Sequence, residues 1–330
     1  MIRTKITEMQ INERINTSLV VTSATARKTK AGKDFLTLEL FDGEDLIVGN
    51  YWDWAGQNIP KQNSILNITA QVTEYLEQKQ LNITSMTTNH EAVLAEFMPK
   101  ADVDIEQAYK DCYAIASDIK NDLLRQICWE VFDTLREEWI VAPAARSVHH
   151  SYVGGTLVHT ASVAKITSAI VAEMPQANTD LAIAGALLHD VGKLWTYNIE
   201  GISVEMSDEG ILMDHLYLGA KYVEELGKKL CNTNNTIDYN EATVQLLTHI
   251  ILSHHGVQQH GSITPPMLLE AHIVHHADTL DAIQEQIRTF AKRSSGKFTD
   301  KIWTLENKPH IRPQYTDECL VDNSTQSLEK

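Results

Sequence analysis

The sequence predicts a multidomain α and β protein, a small antiparallel β-barrel followed by an all-helical bundle. Three observations predict it. Residues 19–85 alternate apolar and polar side chains between turn residues, the signature of half-buried strands. From about residue 104 the apolar positions recur every three or four residues, which is helical spacing. All of the 14 histidines except His90 and His310 fall between His149 and His276, inside the helical part. A chain of 330 residues is long enough to bury two cores.

The strands read in order as SLVVTSATARKTK, DFLTLELFD, DLIVGNYW, SILNITAQVTEYL and QLNITSM. Ala31-Gly32-Lys33-Asp34 and Asp42-Gly43-Glu44 supply the first two turns. Five strands in about 70 residues suit an OB-fold, whose barrel holds single strands on aromatic platforms and a basic groove. Arg27, Lys28, Lys30 and Lys33 bracket the first hairpin, and Tyr51, Trp52 and Trp54 follow the third strand. These are candidate strand-binding groups; equally, the lysines suit a solvated hairpin tip and the tryptophans a barrel core. The barrel domain is expected over 1–95.

DIEQAYKDCYAIASDI and LLRQICWEVFDTLREEW are helical and are expected to form a connector over 96–145, with a face on which copies of the chain can associate. A helical domain is expected over 146–308, almost continuous from 155 to 293. A polar tail is expected over 309–330.

The net charge of −16 argues against a protein coated in basic surface for nucleic-acid binding, without excluding nucleic acid as a partner. Residues 1–100 hold 10 Lys and Arg against 12 Asp and Glu, and the rest hold 18 against 32, so the acidity sits in the helical part. The four cysteines lie far apart, offering neither a disulfide framework nor a cysteine zinc site. No apolar run approaches the ~20 residues of a membrane span, and the first residues lack the apolar core of a signal peptide. The expectation is a cytoplasmic protein with reduced thiols and no membrane partner.

Five helical stretches offer metal-binding side chains. In LVHTASVAKITSAIV, His159 shares a face with Val163, Ile166 and Ile170. LAIAGALLHDVGKLW is an apolar helix ending in His189-Asp190, a pair costly to bury unpartnered, with Gly192 turning the chain to Lys193. In MDHLYLGAKYVEEL, His215 lies in register with Leu218, Tyr222 and Leu226. TVQLLTHIILSHHG ends in His254-His255-Gly256, and LLEAHIVHHADTLDA sets Leu268, Ala271, His275, Asp278 and Ala282 on one face. Any one of these histidines alone suits a core residue; five together point to one or two divalent cations. Imidazole and carboxylate suit Mn²⁺, Co²⁺, Fe²⁺, Ni²⁺ or Zn²⁺, and Asp190 is able to bridge two ions. The implied chemistry is phosphoester hydrolysis by metal-bound hydroxide, since no phosphate-binding glycine loop or nucleophile triad is readable.

At these residues the sequence resembles the HD superfamily of metal-dependent phosphohydrolases, and within it the YhaM-type 3′-to-5′ exoribonucleases, which join an OB-fold to an HD domain. The likeness is carried by HHSYVGGTLVHT, ALLHDVGK, the helix of His215, LSHHG and PPMLLEAHIVHHADTLDA. It implies that His159, His189, Asp190 and Asp278 hold a first cation, Mn²⁺ foremost with Mg²⁺ among the alternatives. It implies that Asp190 bridges to a second cation held by His215, His254 and His255. Lys193 is implied to bind the scissile phosphate as a point charge, its other reading being a helix-end cation. His149 and His150 are implied to touch substrate. Asp281 is either a support for these ligands or a packing residue, and His275 and His276 face the site or serve structure. The resemblance implies a 3′-to-5′ exonuclease on single-stranded RNA, with DNA as a possible substrate. Two rivals are a phosphodiesterase of cyclic dinucleotides or nucleotides, and a non-catalytic nucleic-acid-binding module.

Overall fold

The computed structural model describes residues 4–316 except 57, 77, 93–96, 98–103, 145–151, 201–202, 234–239 and 295. The chain divides into two compact units, residues 1–100 with the stretch 199–203, and residues 101–198 with 204–330.

In the first unit a single 3₁₀ turn (Ile6–Glu8) precedes five strands: β1 (Arg14–Lys28), β2 (Asp34–Phe41), β3 (Leu46–Tyr51), β4 (Ile65–Tyr75) and β5 (Gln78–Thr88). They close into a barrel in the order β1-β2-β3-β5-β4, with β4 returning to β1. Closure depends on the length of β1. Its first half, Arg14–Val20, pairs antiparallel with β4, and Val20–Lys28 pairs with β2, with a bulge between Val21 and Ser23 where the strand bends. β3 and β5 form the single parallel pair, Val48 opposite Gln80 through Asn50 opposite Asn82. This order is that of a five-stranded Greek-key OB barrel. Strand alternation fills its interior: Leu36, Leu38 and Leu40 of β2 point inward and are fully buried with Leu19, Val21, Ile68 and Val72.

The second unit holds α1 (Ile105–Ser117), α2 (Asp122–Thr134), α3 (Arg136–Val141), α4 (Gly155–Ala172), α5 (Thr179–Leu188), the short α6 (Lys193–Thr196), α7 (Asp208–Thr233), α8 (Glu241–Ser253) and α9 (Leu269–Arg293); between α6 and α7 runs a two-stranded hairpin, β6 (Tyr197–Glu200) and β7 (Ser203–Met206), of which residues 199–203 are counted with the first unit. Four helices begin on a side chain that accepts a backbone N–H three residues on: Asp104 from Gln107, Asn121 from Leu124, Asn178 from Leu181 and Asn240 from Thr243. Residues Leu181 to Leu188 of α5 are all buried, so this helix runs through the centre of the bundle. None of the described helices is long and apolar enough to cross a membrane.

Three expectations need correction. The helices expected as a connector are part of the bundle: Cys112, Ala116, Ile127, Cys128, Val131, Phe132 and Trp139 are fully buried in the same apolar core as α4, α5, α7 and α8. Their apolar faces are too wide to be left exposed. The stretch expected to be almost continuously helical contains the β6–β7 hairpin, and α7 is broken at Asp214, where φ is 62° and ψ 152°. The expected tail begins too early, because Ile311 pairs with Phe298 and Ile302 with Lys308; residues 317–330 lie outside the described residues.

Candidate metal centre

Two helices deliver their ligands by the same device. α5 and α8 each end on a histidine, His189 and His254, at the C-cap. The last carbonyls of a helix lack partners within it. His189 Nδ1 donates to Ala186 O at 2.8 Å and His254 Nδ1 to Ile251 O at 2.8 Å, so each ring satisfies its own helix. That bond fixes the tautomer and leaves Nε2 as a free lone pair aimed away from the helix.

The other two histidines are tied by carboxylates. His159, in the second turn of α4, donates Nδ1–H to Asp281 Oδ2 at 2.7 Å. His215 donates to Asp214 Oδ1 at 2.6 Å. All four Nε2 atoms then converge on Asp190. His159 and His189 lie 3.4 Å from Oδ2, while His215 and His254 lie 3.6 Å from Oδ1. His159 Nε2 is also 3.2 Å from Asp278 Oδ1 and 3.1 Å from His189 Nε2. One carboxylate thus faces two imidazole pairs, one on each oxygen.

Glycines set the walls. A Cβ on Gly192 would fall 1.9 Å from the His215 carbonyl oxygen, so only glycine lets the turn after Asp190 touch α7. Gly256 has φ 82° and would place a Cβ 2.5 Å from the His275 ring. His275 in turn donates Nδ1–H to His254 O at 2.7 Å.

The surroundings shift Asp190, His159, His254 and His255 from their ordinary values. Burial alone would raise Asp190, but the Lys193 ammonium and the surrounding imidazoles overcome it and hold the carboxyl well below the usual range. Burial would also lower His159, yet Asp190, Asp278 and Asp281 reverse this and lift it well above an ordinary histidine. His254 is lowered mainly by burial. His255 is pushed down to about 3 by burial and by the neighbouring His254 and His215.

The residues fit divalent cations. Both oxygens of Asp190 and the Nε2 of His215 are buried with no aligned hydrogen bond, although Lys193 Nζ stands 2.7 Å from Oδ2 as an ion pair. Orphaned anionic oxygens in such a site ask for a cation, and neutral imidazole lone pairs are its usual companions. Among the described residues two groups have ligand atoms close enough to share an ion: His159 with His189 and Asp190, and His215 with His254 and His255.

Of the residues singled out in the sequence, His159, His189, Asp190, Lys193, His215, His254, His255 and Asp278 come together here. His149 and His150 lie outside the described residues. His275 serves the His254 carbonyl and His276 is exposed. Asp281 is the support of His159, and Asp214 is a ligand support that the sequence did not single out. The Asp-His dipeptide at the predicted ligand His215 was the available signal.

On the barrel, the predicted groups are partly spent. Lys28 pairs with Asp34 at 2.8 Å and Lys33 with Asp53 at 2.9 Å, both exposed, while Lys30 stays at the hairpin tip. Trp54 is core. Trp52 is exposed and stacks on Phe35 with ring centroids 4.4 Å apart. With Arg27, Asn50 and Tyr75 these rings line a groove of about 690 Å³ that runs across β1, β2 and β3 to the end of β4.

Fold and site together define a barrel of OB type on the same chain as a helical bundle built to hold divalent cations. Residues 156–283 of the bundle match the HD domain family, and among the described residues its two histidine and aspartate clusters suit a divalent cation. Among solved structures, the second OB-fold domain of replication protein A from Methanococcus maripaludis aligns over 28% of this chain and 99% of its own, at 16% identity and a TM-score of 0.24. Asparaginyl-tRNA synthetase from Entamoeba histolytica aligns over 52% of this chain and 45% of its own, at 12% identity and a TM-score of 0.23. The barrel's assignment rests on its own strand order rather than on these likenesses.

Proposed function

We propose that the protein is a 3′-to-5′ exonuclease of single-stranded RNA, with single-stranded DNA as a second substrate. The observation that carries the hydrolytic part is Asp190, a buried carboxylate with two imidazole Nε2 atoms facing each oxygen and no aligned hydrogen bond to either. His159, His189, Asp190 and Asp278 would hold one cation, and His215, His254 and His255 a second, with Asp190 shared. A divalent cation there supplies Lewis acidity, which lowers the pKa of water and offsets charge on a phosphoryl centre.

The chain's own groups do the rest. Lys193 keeps Asp190 ionised and adds a fixed positive charge for a phosphodiester oxygen. Asp281, Asp214 and the carbonyls of Ala186 and Ile251 hold the Nδ1 protons of His159, His215, His189 and His254, so these four imidazoles present Nε2 to the site. On the barrel, Trp52 and Phe35 offer stacking faces for bases and Arg27 a charge for the backbone. The direction of cleavage and the choice of RNA follow the resemblance in the HHSYVGGTLVHT and ALLHDVGK segments.

The test is incubation of Mn²⁺-loaded protein with single-stranded RNA labelled at its 5′ end, resolved on a denaturing gel beside Asp190→Ala and a chelator control. A ladder shortening from the 3′ end, absent from both controls, is the expected result. An intact strand beside hydrolysis of a cyclic dinucleotide would replace this reading with the small-substrate phosphodiesterase. Full activity of Asp190→Ala would remove the metal centre from the reaction.

A further inference from the structure

After α9 the chain folds back on itself as a short clip, Lys297–Arg312. Its two arms are tied by Thr299 N to His310 O at 2.8 Å, Ile302 N to Lys308 O at 3.0 Å and Arg312 N to Lys297 O at 3.1 Å. Ile302 is fully buried, and Thr304 hydrogen-bonds Gln286 of α9, so the clip is anchored to the bundle. Arg312 Nη1 adds a bond to Gly296 O at 2.6 Å.

The clip combines exposed apolar side chains with cations. Trp303 is 67% exposed, Phe298 49% and Ile311 45%, three large apolar side chains within one short segment. Lys301 and Lys308 stand between them and Lys297 and Arg312 flank them, against only Asp300 and Glu306 in the segment. Residues 101–330 as a whole hold 18 cationic and 32 acidic side chains, so the clip reverses the charge of its surroundings. None of the four cations forms an ion pair with a described carboxylate, whereas Lys28 and Lys33 of the barrel do. Lys297 lies over the rings of Phe298 and Tyr315, 5.5 and 4.9 Å from their centroids.

We propose that this clip is a second single-strand-binding surface, carried by the helical unit itself. The inference rests on the strand-cleaving reading above for its ligand. Exposed rings interleaved with cations that no described carboxylate neutralises match what a single strand presents, flat bases alternating with phosphates. An apolar protein partner would be met by the rings but would bury four uncompensated charges, a costly arrangement. In an acidic unit, a local cationic strip is where a polyanion can approach.

The test uses the full chain in chelator, which stops hydrolysis, titrated into a 5′-fluorescein oligouridylate and followed by anisotropy across a salt series. Trp303→Ala is expected to raise Kd roughly tenfold with an unchanged salt slope, and Trp303→Phe to recover most of the loss. The Lys301→Ala/Lys308→Ala double variant, whose side chains are exposed and off the core, is expected to make the slope shallower by about 0.7 for each phosphate no longer neutralised. Hydrolysis of a small phosphodiester, bis(p-nitrophenyl) phosphate, should be unchanged in all variants. Wild-type Kd and slope in both the Trp303→Ala and the lysine variants would overturn the clip while leaving the exonuclease reading intact if the native protein still shortens RNA. Weakened binding in the variants of a native protein that leaves RNA uncut would keep the clip and overturn the exonuclease.

Discussion

A histidine offers a cation one nitrogen when its other nitrogen is already bonded, and that condition is met separately at His159, His189, His215 and His254. Asp281 does it for His159 with a charged acceptor, so Asp281→Asn keeps an acceptor but loses the charge. Cation affinity should fall 10- to 100-fold, about the usual effect of such partners, with the helical circular dichroism unchanged. Chelator competition measures it, and an unchanged affinity would make Asp281 a packing residue. Asp214 is stranger. Its backbone sits at φ 62° and ψ 152°, a region close to glycine's own and costing about 1–3 kcal/mol for other residues, while its carboxylate holds His215 and the Leu216 N–H. Asp214→Gly should therefore melt no lower than Asp214→Ala, and both should bind the second cation more weakly. Melting curves and equilibrium dialysis separate the two effects; a stable Asp214→Ala with full cation stoichiometry would refute both.

At the scale of elements, what was legible was periodicity. The alternation of DFLTLELF appears as β2 with Leu36, Leu38 and Leu40 inside, and the apolar LAIAGALL as buried α5. The His-Asp and His-His pairs stood out because they ended greasy helices. What stayed hidden depends on neighbours remote in sequence. Nothing in DIEQAYKDCYAIASDI says that its apolar face joins the core of α4 and α5 rather than a connector. The four-residue strands Tyr197–Glu200 and Ser203–Met206 were lost among long helical runs. The role of Asp281 required knowing that α9 lies against α4, 122 residues away in sequence. Gly192 carries a further prediction at this scale. Gly192→Ala sets a methyl group against the His215 carbonyl, a backbone group with no freedom to swing aside, so the main chain must move. A melting point lowered by several degrees, together with weakened cation binding at His215, is expected; a wild-type melt and wild-type affinity would show that the turn can yield.

For the whole molecule, the position of α1–α3 decides where the chain can be cut. A fragment 101–330 keeps Ile127, Val131, Phe132 and Trp139 in the core and should fold and bind cations, whereas 146–330 loses them and should be unfolded or aggregated. Circular dichroism and cation stoichiometry of the two fragments test this, and a cooperative melt of 146–330 would restore the connector. Cations also couple the fold to pH. Without a cation, His159 has a raised pKa, so its proton contributes stability below the unfolded value of about 6.5 and that contribution is lost as pH rises through the higher folded value. A bound cation takes over from that proton. Chelator should then lower the melting temperature more at about pH 9 than at about pH 6, and the reverse order would contradict the assignment.

The closure of the barrel bears on how the chain behaves in company. Because β1 pairs along one half with β4 and along the other with β2, and β3 closes on β5, the sheet presents no open ladder of backbone N–H and C=O groups among the described strands. Open ladders are where sheets recruit foreign strands or stack into fibrils. This barrel can approach a long flexible polymer, or crowd against other copies at high concentration, without offering its own edge as a template for strand growth.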